Sequence, residues 1–251
     1  MTKTADQLPA DPAQLHLAYA FGHGLHDDAH ERTVERWEIA VRHGFEVHDD
    51  ERCPTLTGPE GADNCVGECP AFFEDGVRVG SMVFYRIRMV QGMNSFWAME
   101  EESQELYEIA EVLIDSDTGH FVDELDEDLA GFGSDLLVMD QVVLDKSWRG
   151  FGLGQVLAGE AINRLAPGAQ VVACSPGISD REDMAASDDA EWERVTAKIA
   201  AGWQRVGFKE FKEGVYVIDT GTVAADNALS ELRKEFDALT TAWRELPAAG
   251  Q

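Results

Sequence analysis

The sequence predicts an α/β domain carrying an N-terminal extension and an added C-terminal helix, and three observations lead there. The apolar run Leu136 to Leu144, rich in β-branched and large side chains, reads as a buried strand. It feeds the glycine-rich turn Arg149-Gly150-Phe151-Gly152-Leu153-Gly154, which opens a helix with Leu153, Val156, Leu157, Ala161 and Leu165 at helical spacing. Pro167 and Gly168 stop that helix, and a second strand follows over Ala169 to Cys174.

At 251 residues, 44% of them hydrophobic, the chain can bury a full core. Residues 1–13 read as a disordered leader. Leu15 to Phe21 reads as a strand or a helix start, Arg36 to Val41 alternates as a strand, and Val77 to Val90 forms one bent strand or two. Ser95 to Ile114 reads as a helix that buries Leu106, Ile109, Ala110 and Leu113. After the second strand, Asp188 to Val206 reads as a helix with Trp192, Val195, Ile199 and Trp203 on one side and Gly207 as its cap. A strand over Gly214 to Asp219 comes next. In the tail, Asp226 to Leu246, residues Leu229, Leu232, Phe236, Leu239, Trp243 and Leu246 alternate spacings of three and four. That seam either packs on its own domain or joins a second copy as a homodimer.

Charge bounds the partners. Against 20 basic residues stand 48 acidic ones, a net charge of −28, which disfavours nucleic acid and favours cationic ligands. No segment has the length and apolarity of a membrane span, and Met1 to Pro12 lacks the layout of a signal peptide, so the cytoplasm is the expected compartment. Cys53, Cys65 and Cys69 with His48 form either a zinc ligand set or a loop of reduced thiols. Their spacing is not that of a recognised knuckle, and no metal is assigned. Cys174 reads as a small buried hydrophobe, and His23, His26 and His30 show no metal pattern.

In the turn, Gly150, Gly152 and Gly154 let the backbone approach a ligand and aim amide N–H groups at it. The helix N-terminus adds positive partial charge, and Arg149 completes an anion site. A dinucleotide fingerprint does not fit, since position 155 is Gln155 and the second strand ends in Cys174-Ser175-Pro176. A nucleoside-triphosphate loop does not fit either, because no Gly-Lys-Ser/Thr follows. The turn resembles the Gln/Arg-x-x-Gly-x-Gly/Ala signature of the GNAT superfamily, the acetyl-CoA-dependent N-acetyltransferases. Trp203-Gln204-Arg205-Val206-Gly207-Phe208 and the strand after it are similar to the closing segment of those domains. The resemblance spans about residues 134–220, with Trp203 where the family often has Tyr and Thr196 where it often has Asn.

What the resemblance implies is a mixed central sheet flanked by helices, in a domain over residues 14–220 with its CoA-binding half at 134–220, to which the C-terminal helix over 221–251 is an addition. It implies acetyl-CoA as co-substrate. The strand backbone at Val142, Val143 and Leu144 would meet the pantetheine arm and thioester, and Arg149 with the amides of Phe151, Gly152, Leu153, Gly154 and Gln155 would hold the pyrophosphate. The implied activity is transfer of an acetyl or short acyl group to a primary amine. In the family a hairpin leads directly into the cofactor strand; here the helix at 95–114 intervenes, so the substrate half is expected to be rearranged.

For the base, Asp140-Gln141 breaks an apolar strand, and a carboxylate there is paired, neutralised or functional. Asp140 is the first candidate, followed by Glu101 and Glu102. Alternatively Asp140 is bonded structurally and the amine loses its proton to water. Trp203 has only an indole N–H and cannot protonate a thiolate, which leaves Tyr107 and Ser175 as candidate donors. From Met89 to Asp145 there are 16 Asp and Glu and no Lys or Arg. This block either draws in a polycationic acceptor, such as an aminoglycoside, a polyamine or a basic peptide terminus, or is a solvated face. The competing function is a non-catalytic acyl-CoA-binding sensor or interaction protein, in keeping with Trp203 and Thr196.

Overall fold

The computed structural model describes residues 3–26, 28–44, 47–48, 72–73, 76–177 and 189–246. In chain order the strands are β1 (Leu15–Phe21), β2 (Val34–His43), β3 (Val47–His48), β4 (Phe72–Phe73), β5 (Val77–Arg88), β6 (Asp135–Leu144), β7 (Ala169–Cys174), β8 (Lys209–Lys212) and β9 (Val215–Asp219). The helices are α1 (Ala29–Thr33), α2 (Ser95–Glu102), α3 (Gln104–Leu113), α4 (Asp123–Asp126), α5 (Leu153–Leu165), α6 (Asp189–Gln204) and α7 (Ala224–Arg244). Seven strands form one mixed sheet in the order β1-β2-β5-β6-β7-β9-β8, while β3 and β4 pair with each other. Within the large sheet β6 and β7 run parallel, and the other neighbours are antiparallel.

Both faces of the sheet are covered, which is why β6 reads as a continuous apolar run. Leu137 and Met139 point into a core shared with Leu153, Leu157 and Ala161 of α5 and Leu229 and Leu232 of α7. Leu136 and Val138 point the other way, toward Met99, Leu106, Leu113 and Leu125 of α2, α3 and α4. Buried ion pairs fix α5 against the strands: Arg86 reaches the Asp135 carboxylate at 3.1 Å and the Pro167 carbonyl at 3.1 Å, just beyond the helix C-terminus. Arg88 binds Glu35 at 2.6 Å.

Several expectations change or resolve. The expected helix over 95–114 is two, because Ser103 leaves helical backbone (φ −164°, ψ 159°) and its Oγ accepts from the Leu106 N–H at 3.1 Å as the cap of α3. Val77 to Val90 resolves into one strand, and Leu15 to Phe21 is a strand at the sheet edge. The expected disordered leader is packed: Leu8 is buried in the α5-side core, the Thr4 N–H donates to Gln7 Oε1 at 3.1 Å, and Asp11 accepts from Arg244 at 3.0 Å. Arg244, one of its partners, lies at the far end of the chain, where local sequence gives no hint of it. The tail seam packs on its own chain, with Leu229 and Leu232 buried and Phe236, Leu239 and Trp243 partly buried against the same core. Leader and tail therefore share one core with residues 14–220.

Among the described residues, no helix is long and apolar enough to cross a membrane, and no group of three or more His, Cys, Asp or Glu is placed to hold a metal. Cys53, Cys65, Cys69 and the side chains of His48 and Trp192 lie outside the described residues.

Candidate functional site

The site arises where a parallel strand pair comes apart. β6 and β7 pair from Asp135/Ala169 to Val138/Ala173, after which β6 runs on to Leu144 while β7 ends at Cys174. Just past the fork, Gln141 pairs with Val83 and Met139 with Phe84, leaving Asp140 as the extra residue of a β-bulge. A bulge bends the strand and re-aims the side chain it carries. A cavity of about 420 Å³ opens here, at the carboxyl ends of the parallel strands, where ligands of open α/β sheets characteristically bind.

The strand ends as the Asp145 N–H bonds the Val79 carbonyl at 2.8 Å, and the chain then turns into α5. Gly150 (φ 92°) and Gly152 (φ 81°) occupy left-handed backbone that a Cβ would strain, and Gly152 caps α5. A Cβ at Gly154 would meet no atom within 4 Å, so the backbone there is open to close approach. The first turn of α5 has N–H groups with no intrahelical acceptor. Arg149 is half-buried, not exposed as the turn position suggests: its Nε donates to the Leu144 carbonyl at 2.5 Å and ties the turn to the strand end. Lys198 of α6 also lines the cavity, so among the described residues two cations and a single carboxylate, Asp140, face a space inside a chain of net charge −28.

Val142, Val143, Leu144, Arg149, Gly150, Gly152, Leu153, Gly154 and Gln155 all line the cavity, as do Asp140, Ser175 and Trp203. Phe151 does not; its ring is buried in the core. Cys174 lies in the wall with its thiol pushed far up by burial, which makes it an inert wall residue.

Glu101, Glu102 and Tyr107 are not part of this lining; they sit on α2 and α3. Glu101 is exposed, and Glu102 lies 3.7 Å from His30 Nε2, which also contacts the Ala98 carbonyl at 3.2 Å. The Tyr107 hydroxyl donates to Glu111 at 2.6 Å, and that bond, more than burial, holds it above the ordinary tyrosine range.

Asp140 looks toward α3. Burial, and then the negative charge of Glu105, hold its carboxyl above the usual range, with Arg36 pulling the other way. Arg36 stands opposite Tyr85 in the β2/β5 register and donates to its hydroxyl. Burial first, with Asp140 and Glu102 adding to it, raises the Tyr85 hydroxyl against that bond. Arg36, Tyr85, Glu105 and Lys198 were invisible to a linear reading, since each comes from a different element and carries no local motif.

No protein-family model, curated protein or solved structure matches the chain, so its function has to be read from the site itself.

Proposed function

We propose that the protein is a GNAT-type N-acyltransferase that moves an acetyl or short acyl group from acyl-CoA to a primary amine, with a cationic small molecule or peptide as the acceptor class. The observation that carries this reading is the joining of three features in one cavity: the β6/β7 fork, the left-handed glycine turn at the head of α5, and Asp140 on the bulge.

The residues fit such a donor. Arg149, Lys198 and the amides from Phe151 to Gln155 suit a pyrophosphate, which needs cations and backbone N–H groups that no side chain shields. Among the described residues, the stretch of β6 beyond the fork pairs with no strand on its β7 side, so its N–H and C=O groups suit an extended amide-bearing arm. The donor supplies the thioester. The amine nitrogen bonds to the acyl carbon, the carbon–sulfur bond breaks, Asp140 takes a proton from nitrogen, and the released thiolate takes one from solvent or a nearby hydroxyl. Asp140 suits the role because its raised proton affinity improves it as a base. Ser175, exposed at the end of β7 and lining the cavity, is the nearer of the two candidate donors; Tyr107 is committed to Glu111.

Incubation with acetyl-CoA and a panel of amines, following free thiol against a no-amine control, tests the reading. Amine-dependent thiol release is expected. A second reading, an acyl-CoA sensor, draws on Trp203, which lines the cavity and offers no acidic proton. CoA binding without turnover on any amine would decide for the sensor.

A further inference from the structure

We propose that the N-terminal segment Lys3–Leu8 is a working part of the anion site, with Lys3 a positioning residue that holds the glycine turn in its binding shape. This rests on the anion-binding reading of the turn given above.

Lys3 grips the turn at three places. Its backbone N–H donates to the Gly150 carbonyl at 3.0 Å, its ammonium donates to the Lys146 carbonyl at 3.4 Å, and the same ammonium lies 5.0 Å from the centre of the Phe151 ring. A Cβ placed on Gly150 would approach Lys3 Cγ to 3.3 Å, so the segment lies directly on the turn. The segment is itself anchored, by Leu8 in the core and by the Thr4–Gln7 bond, with Asp11 held by Arg244 just beyond it.

The turn needs such a clamp. Gly150 and Gly152 reach left-handed backbone at no steric cost, and for the same reason have many other conformations to visit. An anion gains from aligned amides only when they are aligned beforehand, since otherwise binding has to supply the ordering. Three contacts on residues 146, 150 and 151 restrict the peptide that precedes the Gly152 cap. Lys3 also sets a third positive charge beside Gly150, which lines the cavity with Arg149 and Lys198.

The coupling is reciprocal: if an ordered segment favours the anion, the anion favours an ordered segment by the same factor. The experiment uses the full chain with CoA as probe. Affinity is measured by calorimetry in Lys3→Ala, Lys3→Glu and Lys3→Arg, and amide exchange at Thr4 to Leu8 is followed in wild type with and without CoA. Lys3→Ala is expected to weaken CoA by roughly three- to tenfold, the range of one or two polar contacts. Lys3→Glu should weaken it further, Lys3→Arg should stay near wild type, and Tm should change little in all three. In wild type, CoA should slow exchange across Thr4 to Leu8. Wild-type binding that every variant shares, with exchange unchanged by CoA, would overturn this proposal alone. Failure of the wild type to bind CoA would overturn the anion-site reading, and this one with it.

Discussion

β6 divides two environments of opposite character. Past its end, toward α5, lie Arg149, Lys198 and a run of backbone amides, with Asp140 as the one carboxylate among the described lining residues. Toward α3, the same Asp140 meets the charges of Glu105 and, through Tyr85, of Glu102, in a segment that has no Lys or Arg from Met89 to Asp145. The first suits an anionic donor and the second a cationic acceptor, and Asp140 on its bulge belongs to both. On the proposed function, the sheet would keep donor and acceptor on opposite sides until they meet at Asp140.

The largest expected effects lie on the anionic side. Gly152→Val forces a β-branched residue into left-handed backbone, a strain of roughly 1–2 kcal/mol, and sets its side chain at the mouth of the cavity. Arg149→Glu reverses the charge there and also breaks the bond to the Leu144 carbonyl. Each should weaken CoA by about a hundredfold or more, the scale of losing a charge-assisted contact and gaining a repulsion. Calorimetry giving wild-type affinity for both would erase the distinction between the two sides.

Asp140→Asn sharpens the comparison at its junction. Turnover should fall by roughly 10²–10⁴-fold, as for loss of a general base, while CoA affinity stays near wild type. In wild type the acid limb of kcat/KM should lie above the ordinary carboxylate range, because burial and Glu105 raise this group. Stability moves in the opposite sense. A carboxyl raised in the folded state costs nothing below its ordinary value of 3.8, and costs stability as pH rises through its folded value. Asp140→Asn should therefore raise Tm at neutral pH and leave it unchanged in strong acid.

On the cationic-acceptor side the effects are smaller. Reversing Glu102 and Glu105 to Lys should lower the second-order rate constant for a polycationic amine by about tenfold at low salt and flatten its salt dependence. A best acceptor that is neutral or anionic would show the acidic segment to be surface alone. The smallest change is expected of Trp203→Phe, which keeps an apolar wall and should leave turnover within about threefold, since an aromatic swap at a partly buried position costs little.

The two sides also differ in how far a linear reading can see them. Strand, turn and α5 are contiguous, and their chemistry depends on glycines and one arginine at fixed offsets, so nine of the ten cavity-lining candidates drawn from residues 142 to 155 are found in the lining. Phe151 fails because an apolar ring beside a turn goes to the core whatever its backbone does. The α3 side is built from β2, β5, α2, α3 and β6, each giving one residue, and strand register decides which of them meet. Arg36 reaches Tyr85 because those positions are cross-strand partners, a fact that no local spacing contains. The break at Ser103 was readable as a cap, but the apolar stripe running through 95–114 outweighed a single serine. Asp11 and Arg244 lie too far apart in sequence for either to announce the other.

The fork between β6 and β7 makes the sheet unfinished. Beyond Val138, the centre of the described sheet carries a half-length edge of the kind normally found only at a rim, opening on a cavity that α5 and α6 also line. An acyl donor lying along it would act as a borrowed strand, completing the ladder for the length of one turnover. Donor and fold then share a ledger: at a hundred times its dissociation constant, such a ligand adds roughly 2.7 kcal/mol to the stability of the chain that holds it. The protein should be most robust when charged with donor and softest just after release, so its lifetime in the cell would follow the supply of its donor.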